Sequence, residues 1–75
     1  MRLRIRDMRE DKDLTQQAVA DMLNCDRSLY SRYERQEREV PLWVVNKLAE
    51  YYGTSVDYLI GRTDERSPYL PAKYK

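Results

Sequence analysis

Apolar residues recur at helical spacing along the chain, and polar residues with known capping chemistry separate the apolar stretches. In the stretch Thr15–Asn24, Val19 and Leu23 lie four residues apart and therefore share one face of a helix. The hydroxyl of Thr15 is suited to accept a hydrogen bond at the start of this helix. Asn24 tolerates the left-handed backbone conformation that commonly ends a helix. The pattern predicts a short helix between these two residues.

A second helix is predicted to follow after a very short turn. Asp26 is suited to cap it, because its carboxylate satisfies free N–H groups and favours the positive end of the helix dipole. Since only Cys25 lies between the two signals, the helices must cross sharply. On a helical wheel of about 100° per residue, Tyr30, Tyr33 and Glu34 fall on one side. The opposite side carries Ser28, Ser31, Arg32 and Arg35, flanked by Arg27 and Leu29.

The polar side of this second helix is suited to reading DNA in the major groove. Arginine forms paired hydrogen bonds with guanine, serine donates or accepts, and a leucine methyl contacts the methyl group of thymine. We therefore expect this helix to supply the residues that read bases. They are Arg27, Ser28, Leu29 and Arg32.

Three pieces of the chain resemble the phage-repressor and Cro-like family of bacterial regulators, the XRE family. They are LTQQAVADMLN at Leu14–Asn24, DRSLYSRYE at Asp26–Glu34 and KLAEYYGTSVDYLIG at Lys47–Gly61. Three matches in the right order over most of the chain, about Ile5 to Gly61, are specific. The resemblance implies an all-α, compact five-helix lambda-repressor-like domain with a helix-turn-helix. It also implies binding to operator DNA, usually as a dimer.

The resemblance further implies that Arg9 pairs with Glu34 at the end of the second helix of the motif, which is helix three of the chain. A partly buried arginine needs a carboxylate, and the pair would hold helix one against helix three. At the start of helix two, the resemblance implies a phosphate contact by Gln16. From the residues alone, a glutamine that merely begins a helix is the open alternative. Gln17 has the same chemistry and a more exposed position, so it is the second choice.

The loop after helix three supplies two further candidates for phosphate contact, Arg35 and Arg38. The alternative is that this loop is simply solvated. Glu37 and Glu39 alternate with the arginines and would repel phosphate, so we expect them to point away. The family often has glycine at the position of Gln36, so this chain departs from the family pattern there.

The flanking segments predict three more helices. Residues Met1–Asp13 predict helix one, with Ile5 and Met8 facing inward. Its charged residues Arg2, Arg4, Arg6 and Lys12 are predicted to be mostly solvated. Pro41 suits the first turn of helix four, which ends at Gly53. Its core stripe is predicted to be Leu42, Val45, Leu48, Ala49 and Tyr52. Ser55 is predicted to cap a short fifth helix, Val56–Ile60.

A second apolar face on helix four is predicted to form a dimer interface, since an exposed apolar patch commonly marks a protein contact. The predicted interface residues are Trp43, Val44, Tyr51, Tyr58 and Ile60. The alternative is that the C-terminal tail covers the aromatic residues, with Tyr69 and Leu70 as its anchors.

The length of 75 residues indicates one domain. We expect residues 1–61 to form the helix-turn-helix domain, and residues 62–75, which have no helical period, to form a flexible or extended tail. The net charge of +1 is low for a DNA-binding domain, so DNA binding would depend on where the arginines point.

Several functional classes are disfavoured by what the sequence lacks. With no histidine, no cluster of metal ligands and no glycine-rich phosphate loop, we expect neither an enzyme nor a cofactor, metal or small-molecule site. No apolar stretch has the length of a membrane span, the N-terminus does not resemble a signal peptide, and a single cysteine forms no internal disulfide. These features predict a cytoplasmic protein.

The predicted function is that of a sequence-specific regulator of transcription that binds double-stranded DNA. We expect a repressor that binds a palindromic operator as a homodimer, with helix three in the major groove. The alternative is a protein-interaction module, such as an antitoxin or an antirepressor partner. The second apolar face and the near-neutral charge favour that alternative.

Overall fold

Five α-helices make up the computed structural model, which describes residues 3–67. They are α1 (Ile5–Asp11), α2 (Gln16–Leu23), α3 (Arg27–Glu34), α4 (Leu42–Tyr52) and α5 (Val56–Leu59). Residues 3–67 contain no strand. The prediction of an all-α, five-helix fold is therefore confirmed.

Side chains predicted to cap the helices do so in the structure. Thr15 Oγ1 accepts a hydrogen bond from the backbone N–H of Ala18 at 3.0 Å, and Asp26 Oδ1 accepts one from Leu29 at 2.9 Å. Ser55 Oγ caps α5 in the same way, at 3.0 Å. These bonds satisfy N–H groups that would otherwise lack a partner at the helix start.

The C-terminal ends of α2 and α4 also lie at the predicted residues. Asn24 has a φ of +61° and Gly53 has a φ of +68°, both in the left-handed region. Pro41 precedes the first helical residue of α4 and does not lie within the helix. Its fixed φ of −61° still suits the entry to the helix.

Helix α1 is shorter than predicted. Its start is displaced because the backbone N–H of Arg4 donates to the carbonyl of Leu59 in α5 at 2.7 Å, a contact between distant parts of the chain. Its end is displaced because Asp13 takes a left-handed φ of +56°, and Leu14 N–H then bonds to the carbonyl of Arg9. Met1 and Arg2 lie outside the described residues.

The hydrophobic core gathers one face from each helix, and α2 packs closely on α3 as α5 does on α4. The buried apolar residues are Ile5, Met8, Val19, Ala20, Leu23, Tyr30, Tyr33, Val44, Val45, Leu48, Ala49, Tyr52 and Leu59. Helix α3 contributes Tyr30 and Tyr33, which lie on the face opposite its serines and arginines. The core therefore fixes how α3 is rotated about its own axis.

The buried face of α4 differs from the predicted one at two positions. Leu42, predicted in the core, is 69% exposed, whereas Val44, predicted at the surface, is 1% exposed. Leu42 is the first helical residue, and helical side chains lean toward the N-terminus, so it projects past the packed region. Val44 lies one turn before Leu48 and therefore shares its buried face of α4. The prediction of Val44 as an interface residue is therefore wrong.

Residues 62–67 are tied to the rest of the described chain by four side-chain contacts. Arg4, predicted to be solvated, is buried instead, and its guanidinium donates to the carbonyl of Thr63 and to Asp64 Oδ1, each at 2.6 Å. Thr54 Oγ1 donates to the carbonyl of Arg66 at 2.6 Å, and the Arg66 guanidinium lies 3.3 Å from a carboxylate oxygen of Asp11. The boundary after Gly61 stays a prediction, and Tyr69 and Leu70 lie outside the described residues.

Candidate nucleic-acid interface

The outward face of α3 carries most of the residues predicted to read bases. Arg27, Ser28 and Arg32 are exposed, and no hydrogen bond or ion pair within residues 3–67 holds their side chains. Leu29 is half-buried, because part of its side chain packs against the core. Ser28 and Arg32 are not covered by any other described part of the chain. The helix therefore has a free polar face and a fixed apolar face.

A buried ion pair holds α3 to α1. Arg9 Nε donates to Glu34 Oε2 at 2.6 Å, and Arg9 Nη2 donates to Glu34 Oε1 at 3.2 Å. Arg9 Nη1 also donates to the carbonyl of Leu14, at 2.8 Å. The side chain of Glu34 is only 3% exposed. The contact between Arg9 and Glu34 that the resemblance implied is thus present.

Glu34 also binds α2. Gln16 Nε2 donates to Glu34 Oε1 at 3.0 Å, so one carboxylate of α3 contacts both α1 and α2. Burial on its own would raise the pKa of Glu34, but the hydrogen bonds from Arg9 and Gln16, together with the positive charge of Arg9, outweigh it and hold the pKa below its usual value. Glu34 is therefore ionised at neutral pH.

The other residues predicted to contact phosphate differ in how many hydrogen bonds their side chains make within the chain. Gln17 is exposed and donates to Asp21 Oδ1 at 2.8 Å, and Arg38 is exposed. Arg35 is held on both sides. Its Nη1 donates to Ser31 Oγ at 2.7 Å, and its Nε and Nη2 donate to the two carboxylate oxygens of Glu37 at 3.0 and 3.1 Å.

The expectation that Glu37 points away from the arginines is wrong. Gln36, between Arg35 and Glu37, has a left-handed φ of +58°. In this turn the side chains of Arg35 and Glu37, two residues apart, lie on one side of the chain, where Arg35 donates to both oxygens of Glu37. The hydrogen bonds from Arg35 lower the pKa of the Glu37 carboxyl.

A polar pocket of about 240 Å³ lies between α1, α2 and α3. It is lined by Arg6, Arg9, Gln16, Ser31, Glu34 and Arg35. Sequence reasoning took Arg6 as a solvated surface residue and so missed this pocket. The available signal was the spacing of Arg6 and Arg9, which are three residues apart and share a helix face.

The residues predicted to form a dimer interface do not form a single patch. Trp43 and Tyr51 are 55% and 52% exposed on the outward side of α4. The ring of Tyr58 lies beneath the guanidinium of Arg4, with 4.2 Å from Arg4 Cζ to the ring centroid. Ile60 lines a separate apolar groove with a volume of about 550 Å³.

This groove, which we call the α5 groove, is defined by apolar residues from four parts of the chain. They are Leu3, Val40, Leu42, Val45, Val56 and Ile60. Gln36, Arg38 and Glu39 lie at its edge. Sequence reasoning missed the role of Leu42 here because it placed that residue in the core.

None of the helices within residues 3–67 has the length and hydrophobicity that spanning a bilayer requires. Within the same range, no three His, Cys, Asp or Glu side chains come together as metal ligands would.

Residues 5–59 match the helix-turn-helix family. The chain is 34% identical over 70 residues to the uncharacterized HTH-type transcriptional regulator YobD of Bacillus subtilis (strain 168), covering 93% of this chain and 62% of the relative. It is 33% identical over 61 residues to the cryptic phage CTXphi transcriptional repressor RstR of Vibrio cholerae, and these residues cover 81% of this chain and 55% of RstR.

A third relative is the HTH-type transcriptional regulator ImmR of Bacillus subtilis (strain 168). It is 33% identical over 61 residues, which cover 81% of this chain and 48% of ImmR. The chain thus spans about half to three fifths of the length of these relatives. No solved structure matches the chain significantly.

Proposed function

The chain belongs to the XRE helix-turn-helix family of transcriptional regulators, and on that basis we propose that it binds a specific sequence of double-stranded DNA and represses transcription there. One observation carries the proposal. The face of α3 that bears Arg27, Ser28 and Arg32 is exposed, while Tyr30 and Tyr33 fix the opposite face in the core. A helix held in this way presents its polar side to a major groove.

In the proposed complex, base contacts and backbone contacts come from different residues. Arg27 and Arg32 pair with guanines, Ser28 donates or accepts, and the exposed part of Leu29 contacts a thymine methyl. Gln16, Gln17, Arg35 and Arg38 contact phosphates, which fix the position of the helix without reading sequence. Repression follows because the occupied operator excludes RNA polymerase.

We propose that two copies bind together, with their α3 helices in successive major grooves about 34 Å apart. The α5 groove is the better candidate for the interface, because Leu42 protrudes beside a concave apolar surface in the same molecule. A two-fold pairing needs such a self-complementary surface. The alternative interface is the outward side of α4, with Trp43 and Tyr51.

Selection of bound duplexes from a random pool tests this function. A selected sequence that is palindromic, with half-sites about 10 base pairs apart, supports sequence-specific binding by a symmetric dimer. The affinity for the selected duplex should fall steeply with added salt, because each phosphate contact releases counterions. Recovery of no preferred sequence would contradict the proposal.

Replacing Arg32 with alanine tests whether α3 reads the bases. We expect a loss of about 1–3 kcal/mol in binding free energy on the selected duplex, with relaxed discrimination at one base pair. Arg62→Ala is a matched control, because Arg62 is an exposed arginine that follows α5 and belongs neither to α3 nor to the loop after it. If Arg32→Ala keeps the affinity and the preference of the parent, Arg32 does not read bases.

A protein-interaction module is the second candidate function. The net charge of +1 and the exposed aromatic residues Trp43 and Tyr51 favour it. Binding to a protein through such a surface would respond little to salt, in contrast to binding to DNA. Measuring the salt dependence of the chain's tightest interaction separates the two candidates.

A further inference from the structure

The polar pocket between α1, α2 and α3 has the lining of an anion site. Three guanidinium groups, from Arg6, Arg9 and Arg35, face one carboxylate, from Glu34. The charge of Glu34 is already neutralised, because Arg9 binds both of its carboxylate oxygens. The pocket therefore has an excess of positive charge before its neighbours are considered.

The uncharged groups in the pocket are oriented as donors. Gln16 uses one amide proton on Glu34 Oε1, which leaves its second amide proton available. Ser31 Oγ accepts from Arg35 Nη1, so its own hydroxyl proton is free to be donated. A phosphodiester, whose oxygens only accept hydrogen bonds, matches this set of donors.

Two acids outside the lining hold the arginines at the mouth of the pocket. Arg6 Nε donates to Glu10 Oε2 at 3.1 Å, and Arg35 donates to both oxygens of Glu37 at 3.0 and 3.1 Å. All four side chains are more than half exposed. Exposed ion pairs of this kind contribute little stability and exchange partners readily.

We propose that this pocket binds one backbone phosphate of the duplex, and that Glu10 and Glu37 compete with that phosphate for Arg6 and Arg35. This inference rests on the proposed function and extends it. Ser31 immediately precedes Arg32 on α3, so the pocket adjoins the base-reading face. The two acids thus set the affinity for DNA without changing which sequence is preferred, because a phosphate carries no sequence information.

Glu37→Gln is the direct test, with binding to the selected duplex and to an unrelated duplex measured at several salt concentrations. We expect both affinities to rise by the same factor, about two- to fivefold, the range of one exposed ion pair. Glu10→Gln should act in the same direction. Arg35→Ala should weaken binding to both duplexes and reduce the salt slope by about 1.

Removing any acid makes the chain more positive, so two controls isolate the effect of the pocket. Glu50→Gln makes the same charge change on α4, at a residue that does not line the pocket, and should leave the affinity nearly unchanged. In an Arg35→Ala background, Glu37→Gln should give no gain, because Glu37 acts through Arg35.

The results separate the failure of this inference from the failure of the proposed function. A parent chain that binds no duplex overturns the function itself. If the parent binds but Glu37→Gln binds no more tightly than Glu50→Gln, only the proposed competition is overturned. The same holds if Glu37→Gln gives its full gain in affinity in the Arg35→Ala background. Tighter binding of inorganic phosphate without tighter binding of DNA would place the pocket away from the duplex and also overturn it.

Discussion

At the scale of single residues, the carboxylate of Glu34 determines how α3 is held. It accepts hydrogen bonds from Arg9 of α1 and Gln16 of α2, and it lies at the last position of α3. Arg9 and Glu34 are therefore structural, while Gln16 connects the same network to the pocket proposed to bind phosphate. A change at Glu34 should alter stability first and DNA binding as a consequence.

Replacing Glu34 with alanine should lower the free energy of unfolding by about 3 kcal/mol, because the substitution leaves the partly buried guanidinium of Arg9 without its carboxylate. Urea unfolding followed by circular dichroism measures this. Glu10→Ala is the matched control. It removes an exposed pair with Arg6 and should cost less than about 1 kcal/mol. A Glu34→Ala variant as stable as the parent would contradict the structural role.

The same pair makes the stability depend on pH. Because folding lowers the pKa of Glu34, its stabilising effect is present above the ordinary pKa of a glutamate and is lost as the pH falls through the lowered value. Acid unfolding of the parent should therefore be steeper than that of Glu34→Gln, in which this carboxyl does not titrate. Parallel curves of stability against pH for the two proteins would indicate that the titration of Glu34 does not contribute to acid unfolding.

What the sequence reveals at this scale depends on the range of the interaction. The pairing of Arg9 with Glu34 came from a family resemblance, not from spacing, since 25 residues separate the two. The hydrogen bonds between Arg35 and Glu37 were missed because Glu37 was expected to point away, and the left-handed φ of Gln36 between them was not expected either. The identity of residue 36 does not predict a left-handed backbone conformation, because glutamine rarely adopts a positive φ.

At the scale of helices, the ends marked by a capping side chain were predictable, the ends of α1 were not, and the buried faces were predictable only in part. A cap depends on one or two residues, and Thr15, Asp26 and Ser55 cap as expected. The face of α4 was misassigned because Leu42–Val45 is a run of four apolar residues. With no polar residue in that run, periodicity does not define the edge of the buried stripe.

Asn24 provides a test of the turn between α2 and α3. Its φ of +61° is strained for most residues and unstrained for glycine. Asn24→Ala should lower the free energy of unfolding by about 1 kcal/mol, whereas Asn24→Gly should change it by only a few tenths. Thermal unfolding of both variants measures the difference. If both variants lose the same free energy of unfolding, the contribution of Asn24 comes from its side chain and not from its backbone conformation.

At the scale of the whole molecule, a net charge of +1 is compatible with binding to DNA because the charges are unevenly placed. Arg27 and Arg32 face outward without an ion pair among the described residues, while Glu34 is neutralised inside the fold. Composition alone gave only the sum of these charges. Their arrangement depends on the rotation of α3, which the core residues fix.

Pairing of two copies is the property that composition and periodicity predicted least well. The predicted interface mixed a core residue, Val44, with residues from two separate surfaces. Leu42 and Trp43 now offer a matched comparison, because both are exposed neighbours at the start of α4 and neither supports the core. Only Leu42 lines the α5 groove.

If the α5 groove is the interface, Leu42→Lys should shift the chain from dimer to monomer in sedimentation velocity, because it places a charge in an apolar contact. The same variant should bind the palindromic duplex more weakly and a single half-site unchanged. Trp43→Lys should leave both the dimer and its DNA affinity intact. The opposite result, dissociation by Trp43→Lys alone, would place the interface on the outward side of α4 with Tyr51.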